Sequence, residues 1–328
     1  WKECALNPVY PQGGTWIYDR AGWCPGAPTD LKEMDITPYI TPGGSSTIDY
    51  QIVTATGSSN YWVSNQLVTY GQPNFSLDAA VIDVKNPSSK IEYARTNYIC
   101  NSPTVVIQNT GSTMLTSLVI EYWVNNNPTH ETYTWTGNLD FLQTADVVLP
   151  VGNVWSTANT PTNNAFHVEV KSPNNGTDAY SFNNKYNSTF NITSVLPANF
   201  ILSVKTNNAG LETKYKILDS YGNLVLNRQT LQNNKTYKDT LGIGVGCYSL
   251  IFTDSGDDGI DFWANNDGIG TASILNMSGT SIVNFEGDFG KSLIYNFTIN
   301  YPMAYEDLYQ INDIVLYPNP AHNEVIVE

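Results

Sequence analysis

The sequence predicts an all-β protein of several jelly-roll or immunoglobulin-like β-sandwiches in tandem. Three observations carry this expectation. Period-two alternation of apolar and polar residues recurs along the chain, while the 3.6-residue period of amphipathic helices is nearly absent. Seventeen prolines and 24 glycines divide the 328 residues into segments of sandwich-strand length. The length itself suits two to four domains.

Taken in chain order, strands are expected over 46–50, 66–70 and 79–84, ending at Asn86-Pro87-Ser88-Ser89. In Leu118-Val119-Ile120-Glu121-Tyr122-Trp123-Val124, the residues Leu118, Ile120, Tyr122 and Val124 share one strand face. Tyr215–Asp219 and Leu224–Leu226 flank a hairpin turn at Gly222-Asn223. Further strands are expected at Ser249–Phe252 and Leu293–Ile299. Lys171-Ser172-Pro173-Asn174-Asn175-Gly176 reads as a linker. The resulting division is 1–86, 87–173, 174–301 and a terminal stretch 302–328. No repeat of fixed period is visible.

Composition excludes several function classes. Net charge is -15 and only 14% of residues are charged. Fifteen Lys+Arg scattered over the chain give no basic stripe for phosphate, so no nucleic acid is expected as a partner. The same acidity argues against an anionic membrane surface, and no apolar run approaches the ~18 residues of a membrane span. A surface rich in Asn, Thr, Ser, Tyr and Gly suits a secreted or cell-surface protein. Trp1-Lys2-Glu3-Cys4 is not a secretory leader, so a mature or internal segment is expected.

The densest stretch is Gln12 to Pro28, with Trp16, Trp23, Asp19-Arg20, Cys24 and several Gly/Pro residues in one irregular run. Ordering such a segment costs conformational entropy, so a cross-link or a filled site is needed to hold it. Cys4, Asn7-Pro8, Trp16 and the unbroken Asp19-Arg20-Ala21-Gly22-Trp23-Cys24-Pro25-Gly26 resemble the second jelly roll of the peptide:N-glycosidase F family, bacterial amidases that remove N-linked glycans. The resemblance is strong over less than a tenth of the chain and reaches about a quarter with the following strands. Local spacing and the resemblance together suggest a Cys4–Cys24 disulfide, whose loop of about twenty residues stabilises by roughly 3 kcal/mol. The resemblance also places Asp19, Arg20 and Trp23 at a cleft that grips sugar. Arg20 has two roles open to it: a fork of donors for substrate oxygens, or a structural partner for Asp19 and loop carbonyls. Trp23 either packs over the disulfide or covers a pyranose face.

The family's essential carboxylates belong to regions upstream of the Cys4 equivalent. No catalytic residue carries over to this chain, which is expected to be inactive alone. The resemblance implies the carboxy-terminal part of a secreted glycoamidase; the alternative is a non-catalytic cargo or adhesion protein whose sandwiches bind glycans or surfaces. Glycoproteins or glycans are the expected ligands. Residues 103–112 with the Leu118 strand look like an immunoglobulin-like adhesion module, and 246–260 like a jelly-roll accessory module. Tyr317-Pro318-Asn319-Pro320-Ala321, followed by Val325-Ile326-Val327, resembles the opening of the type A sorting domain read by the type IX secretion machinery.

Other chemistry is sparse. His130, His167 and His322 are widely separated, with no His-x-His, which disfavours copper and most zinc sites. No nucleophile elbow or phosphate loop occurs. The cluster Asp254, Asp257, Asp258, Asp261 and Asp267 offers oxygen ligands for Ca2+. It departs from a calcium loop at Gly256 and Asn265, and a solvated acidic turn is the plainer reading. No other cofactor is expected. Cys100 and Cys247, far apart in separate domains, are expected as buried free thiols.

Overall fold

The computed structural model describes residues 3–8, 17–20, 22–25, 27, 29–41, 43–49, 51, 63–96, 98–158, 160–299, 316–317 and 326–327. Two antiparallel β-sandwiches follow one another. The first contains β1 (Ala79–Asn86), β2 (Thr104–Asn109), β3 (Leu115–Val124), β4 (Glu131–Leu139), β5 (Thr144–Val148), β6 (Asn164–Lys171) and β7 (Lys185–Phe190). Its sheets run β1-β2-β5 and β4-β3-β6-β7. The second contains β8 (Ser194–Val195), β9 (Asn199–Lys205), β10 (Thr213–Asp219), β11 (Leu224–Arg228), β12 (Thr236–Gly242), β13 (Gly246–Asp254), β14 (Thr271–Leu275), β15 (Ser281–Phe285) and β16 (Ser292–Ile299). Its sheets run β11-β10-β13-β16-β8 and β12-β9-β14-β15. The short β8 pairs parallel to β16; the other pairings in both sandwiches are antiparallel.

Alternation builds each core. On β3, Leu118, Ile120, Tyr122 and Val124 all point inward, as their spacing predicts, and meet Val81, Val105, Ile107 and Val147 from the facing sheet. Tyr122 buries its ring while its hydroxyl donates to Pro150 O at 2.6 Å. Trp155, fully buried, donates from Nε1 to Asn101 O at 3.1 Å and so fixes the loop beside Cys100. In the second sandwich, Phe200, Leu202 and Val204 face Tyr215, Ile217, Leu250, Phe252 and Phe297. Tyr215 crosses between the two sheets to donate to Asp239 Oδ2 at 2.7 Å, and Arg228 pairs with the same carboxylate. The expected hairpin is present: β10 and β11 pair through Leu218 and Leu224, and Gly222 takes φ +83°, a left-handed value natural to glycine. Asp219 Oδ1 accepts from Tyr221 N and Asn223 N to close the turn.

Three expectations need correction. Residues 46–49 and 66–70 form no strands; they are exposed, and their β-favouring composition finds no ladder to join. Strand pairing also crosses the boundaries drawn at 86/87 and 173/174. β1 pairs with β2 from Ala79↔Asn109 onward, and β7 pairs with β6, so both belong to the first sandwich. Finally, Cys100 and Cys247 are not thiols. They form a disulfide with Cα atoms 5.7 Å apart, across a sequence separation of 147 residues. Cys100 lies in the loop before β2, Cys247 near the start of β13, and both are buried where the sandwiches meet.

A cross-link closing a loop of roughly 150 residues restricts the unfolded chain strongly, by about 5 kcal/mol in the chain-entropy account. Intact-mass measurement should therefore show both disulfides, and the paired change of Cys100 and Cys247 to Ser should lower unfolding stability by up to about 5 kcal/mol. Denaturant midpoints equal to wild type would contradict the linkage.

Candidate functional site

Three groups of residues carry chemistry. The first is the amino-terminal segment. Cys4 and Cys24 are disulfide-bonded, Cα to Cα 5.4 Å, and both are buried. Asn7 Nδ2 donates to Pro25 O at 2.8 Å, closing the segment on itself. The Arg20 guanidinium lies over the Trp23 ring, 5.6 Å from its centroid. Trp23 remains 43% exposed, and Asp19 is exposed. A stacked cation with an accessible indole can contact a sugar ring and its hydroxyls together. The structure thus brings Arg20 and Trp23 together.

This segment is fastened by Arg95, which follows β1 in a short 3-10 turn spanning Ile91–Thr96. Its guanidinium donates to four backbone carbonyls: Ala5, Asn7, Phe289 and Ser292. Lys291 N donates to Ala5 O at 2.9 Å, and Lys291 Nζ pairs with Glu3. One arginine from the first sandwich therefore joins the amino-terminal segment to the β15–β16 connection of the second.

The second group lies at the far end of β13. Carboxylate oxygens of Glu212, Asp254 and Asp258 all fall within 4.8 Å of one another. Asp254 is the last residue of β13, and the register Thr213↔Asp254 sets Glu212 beside it. Asp254 Oδ1 accepts from Gly256 N at 3.0 Å, and Asp258 Oδ2 accepts from Asn265 Nδ2 at 2.6 Å. A Cβ placed on Gly256 would stand 2.6 Å from Glu212 Oε2, 3.1 Å from Asp258 Oδ1 and 3.2 Å from Asp254 Oδ1. The space between the three carboxylates is thus kept clear by a glycine.

Burial, then the neighbouring charges of Asp258 and Glu212, push Asp254 up to about 7. Burial raises Asp258 too, and burial with the charges of Asp258 and Asp267 raises Glu212. Asp288 is pushed to about 6 by burial and by Asp261, Asp258 and Glu286. Three crowded carboxylates held above their ordinary range can share protons or be neutralised by a hard cation.

Of the five aspartates read as oxygen ligands, Asp254 and Asp258 reach this cluster and Asp257, Asp261 and Asp267 do not. Asp257 sits at φ +66° in the turn, and Asp261 N is tied to Gly287 O at 3.2 Å. Asp267 contributes its charge to the Glu212 environment. Glu212 was missed, since only the β10–β13 register brings it there. Tyr317 lies in a two-residue antiparallel pairing of Leu316–Tyr317 with Ile326–Val327, while Pro318, Asn319, Pro320 and Ala321 fall outside the described residues.

A further surface group forms on the outer face of the β4-β3-β6-β7 sheet. The Trp123 indole stacks between His130, centroids 3.9 Å apart, and His167, 5.1 Å apart. Glu121 accepts from His130 and Lys171 beside it.

Two buried disulfides define the class: a tandem β-sandwich protein folded in an oxidising compartment. Among the described residues no helix is long and apolar enough to cross a membrane. No family model matches the chain, and no curated protein does either. Among solved structures it is similar to a bacterial adhesin from Mobiluncus mulieris containing intramolecular disulfide, isopeptide and ester bond cross-links. In one crystal form the identity is 8%, the match covers 68% of this chain and 98% of that one, and the TM-score is 0.20. In another the figures are 9%, 68%, 97% and 0.18. A superposition that loose equates neither the folds nor their uses.

The carboxylate cluster makes a signed prediction. A carboxyl raised in the folded state adds stability below its ordinary value near 4, and that stability is lost as pH rises through about 7. In chelator, the melting temperature should fall between pH 5 and pH 8. Asp254→Asn should flatten that fall, and millimolar Ca2+ at pH 8 should restore wild type but not Asp258→Asn. A wild-type profile flat across this range would remove the cluster from the account.

Proposed function

We propose that this chain is a non-catalytic extracellular module that contacts glycans on glycoproteins through Arg20 and Trp23. The observation carrying this reading is the Arg20 guanidinium over the partly exposed Trp23 ring, on a segment that the Cys4–Cys24 disulfide closes and whose Ala5 and Asn7 carbonyls Arg95 binds. A preorganised aromatic contact loses little entropy on binding, which suits recognition of a weakly held sugar. The residues shared with the peptide:N-glycosidase F family favour a second, narrower reading. In it, the same pair grips the first sugar while carboxylates from outside these residues hydrolyse the Asn–GlcNAc amide.

Titration of the protein with an N-glycopeptide and with the same peptide lacking glycan tests the contact that both readings share. Selective binding of the glycopeptide supports it. Trp23→Ala should weaken that binding at least tenfold with an unchanged melting temperature, and Arg20→Lys should rescue poorly because an ammonium lacks the planar fork. Equal affinity for both peptides would reject the glycan reading, and release of free glycan by a protein that joins these residues to such a carboxylate-bearing region would establish the amidase.

We propose further that Tyr317 to Ala321 opens an export address for the type IX secretion machinery. Its support is the Tyr-Pro-Asn-Pro-Ala sequence alone. Removing Tyr317 onward should hold the protein within the cell envelope while leaving its melting temperature unchanged. Normal export after that deletion would dismiss the address.

A further inference from the structure

We propose that the two-sandwich body is a tension-bearing link whose stretch is bounded by the Cys100–Cys247 disulfide. Of the reading above, only the ligand held at the amino-terminal segment enters here, as one point at which load is applied; the other is the chain that leaves β16. The bound itself rests on connectivity alone.

Once the contacts of Arg95 and Lys291 with the amino-terminal segment give way, a pull between the chain's ends enters the first sandwich at Ala79 and follows β1 and the Ile91–Thr96 turn to Cys100. There the covalent path leaves the backbone and crosses to Cys247. It then runs along β13 and leaves the second sandwich at the end of β16. Entry and exit are neighbours, because Cys247 pairs with Thr298 and Gly246 with Ile299. Nothing from β2 to β12 lies on this path. Those strands supply most of the first core and part of the second, yet tension cannot draw them out while the disulfide is intact.

The extensible parts are short. On the amino-terminal side they include β1 and the turn before Cys100. On the other side, opposed forces on Cys247 and Ile299 open the β13–β16 ladder from that end, rung by rung toward Thr253↔Ser292. Ladder bonds broken one at a time resist less than bonds sheared together, so this end of the second sandwich yields first. It releases about 50 residues, or roughly 180 Å of chain at ~3.5 Å each. The closed loop withholds far more. With 147 residues of separation between its cysteines, it keeps back about 500 Å of extended chain. The result is a compliant element with a hard stop.

Force spectroscopy on the full chain, with handles at its two ends, tests this directly. Oxidised molecules should reach a final extension about 570 Å shorter than the same molecules in reductant, about 500 Å from the Cys100–Cys247 loop and about 70 Å from the Cys4–Cys24 loop. Their unfolding record should contain a step near 180 Å. A Cys247→Ser chain should keep only the difference of about 70 Å that the Cys4–Cys24 loop contributes. Because reductant acts on the wild-type protein, the test survives a variant that folds poorly. A difference of no more than about 70 Å between the two conditions, or free thiols at Cys100 and Cys247 by intact mass, would overturn the proposal. Loss of glycan binding would leave the extension difference unchanged, so failure of the ligand reading is distinguishable from failure of this one.

Discussion

The covalent bond between Cys100 and Cys247 is the constraint to which the rest of the structure answers. Each sandwich has its own core and could bury its apolar strands without the other. Their mutual placement is what independent folding would leave loose, since interfaces between domains of one chain are ordinarily small and mobile. Here Trp155 pins the backbone next to Cys100, and the register of β13 with β16 pins Cys247. Two rigid anchors joined by a bond make one body from two. The Arg95 clamp then adds the amino-terminal segment to it, drawing carbonyls from that segment and from the second sandwich onto one guanidinium.

Strand β13 concentrates the opposing demands of the fold. Near its first residue it carries the disulfide, along its middle it buries Leu250 and Phe252, and at its last residue it carries Asp254. The carboxylate end is the costly end. Moving charge out of water is unfavourable unless protons or counter-charges compensate, which is why Asp254 is held far above its ordinary range. The apolar middle and the cross-linked start hold the strand in place while its end carries that cost. A central strand buried on both sides of its ladder can hold strained electrostatics that a surface turn would relax.

What the sequence made legible follows from the range over which each signal acts. The face of Leu118, Ile120, Tyr122 and Val124 and the turn at Gly222 are local, readable from alternation and turn chemistry within a dozen residues. The segments 46–49 and 66–70 misled because β-favouring composition says nothing about whether a partner edge exists. Glu212 joins Asp254 and Asp258 through the β10–β13 register, a pairing some forty residues long in sequence that no spacing rule reveals. The Cys100–Cys247 bond failed to show for the same reason: two distant cysteines look like strangers until a fold sets them side by side. Of the five aspartates only Asp254 and Asp258 converge with Glu212, because density along the chain is not convergence in space.

Arg95 has a consequence for how freely the chain can vary. Its bonds to Ala5, Asn7, Phe289 and Ser292 are made to main-chain oxygens, which every amino acid supplies. The clamp itself makes no demand on the side chains at those four positions, although Asn7 is held by Pro25 O and Phe289 by the core. Position 95 has no such latitude, because an ammonium offers neither the planar geometry nor the number of donors. Among relatives of this protein, the junction should therefore be recognisable by an invariant arginine rather than by the residues that supply its acceptors.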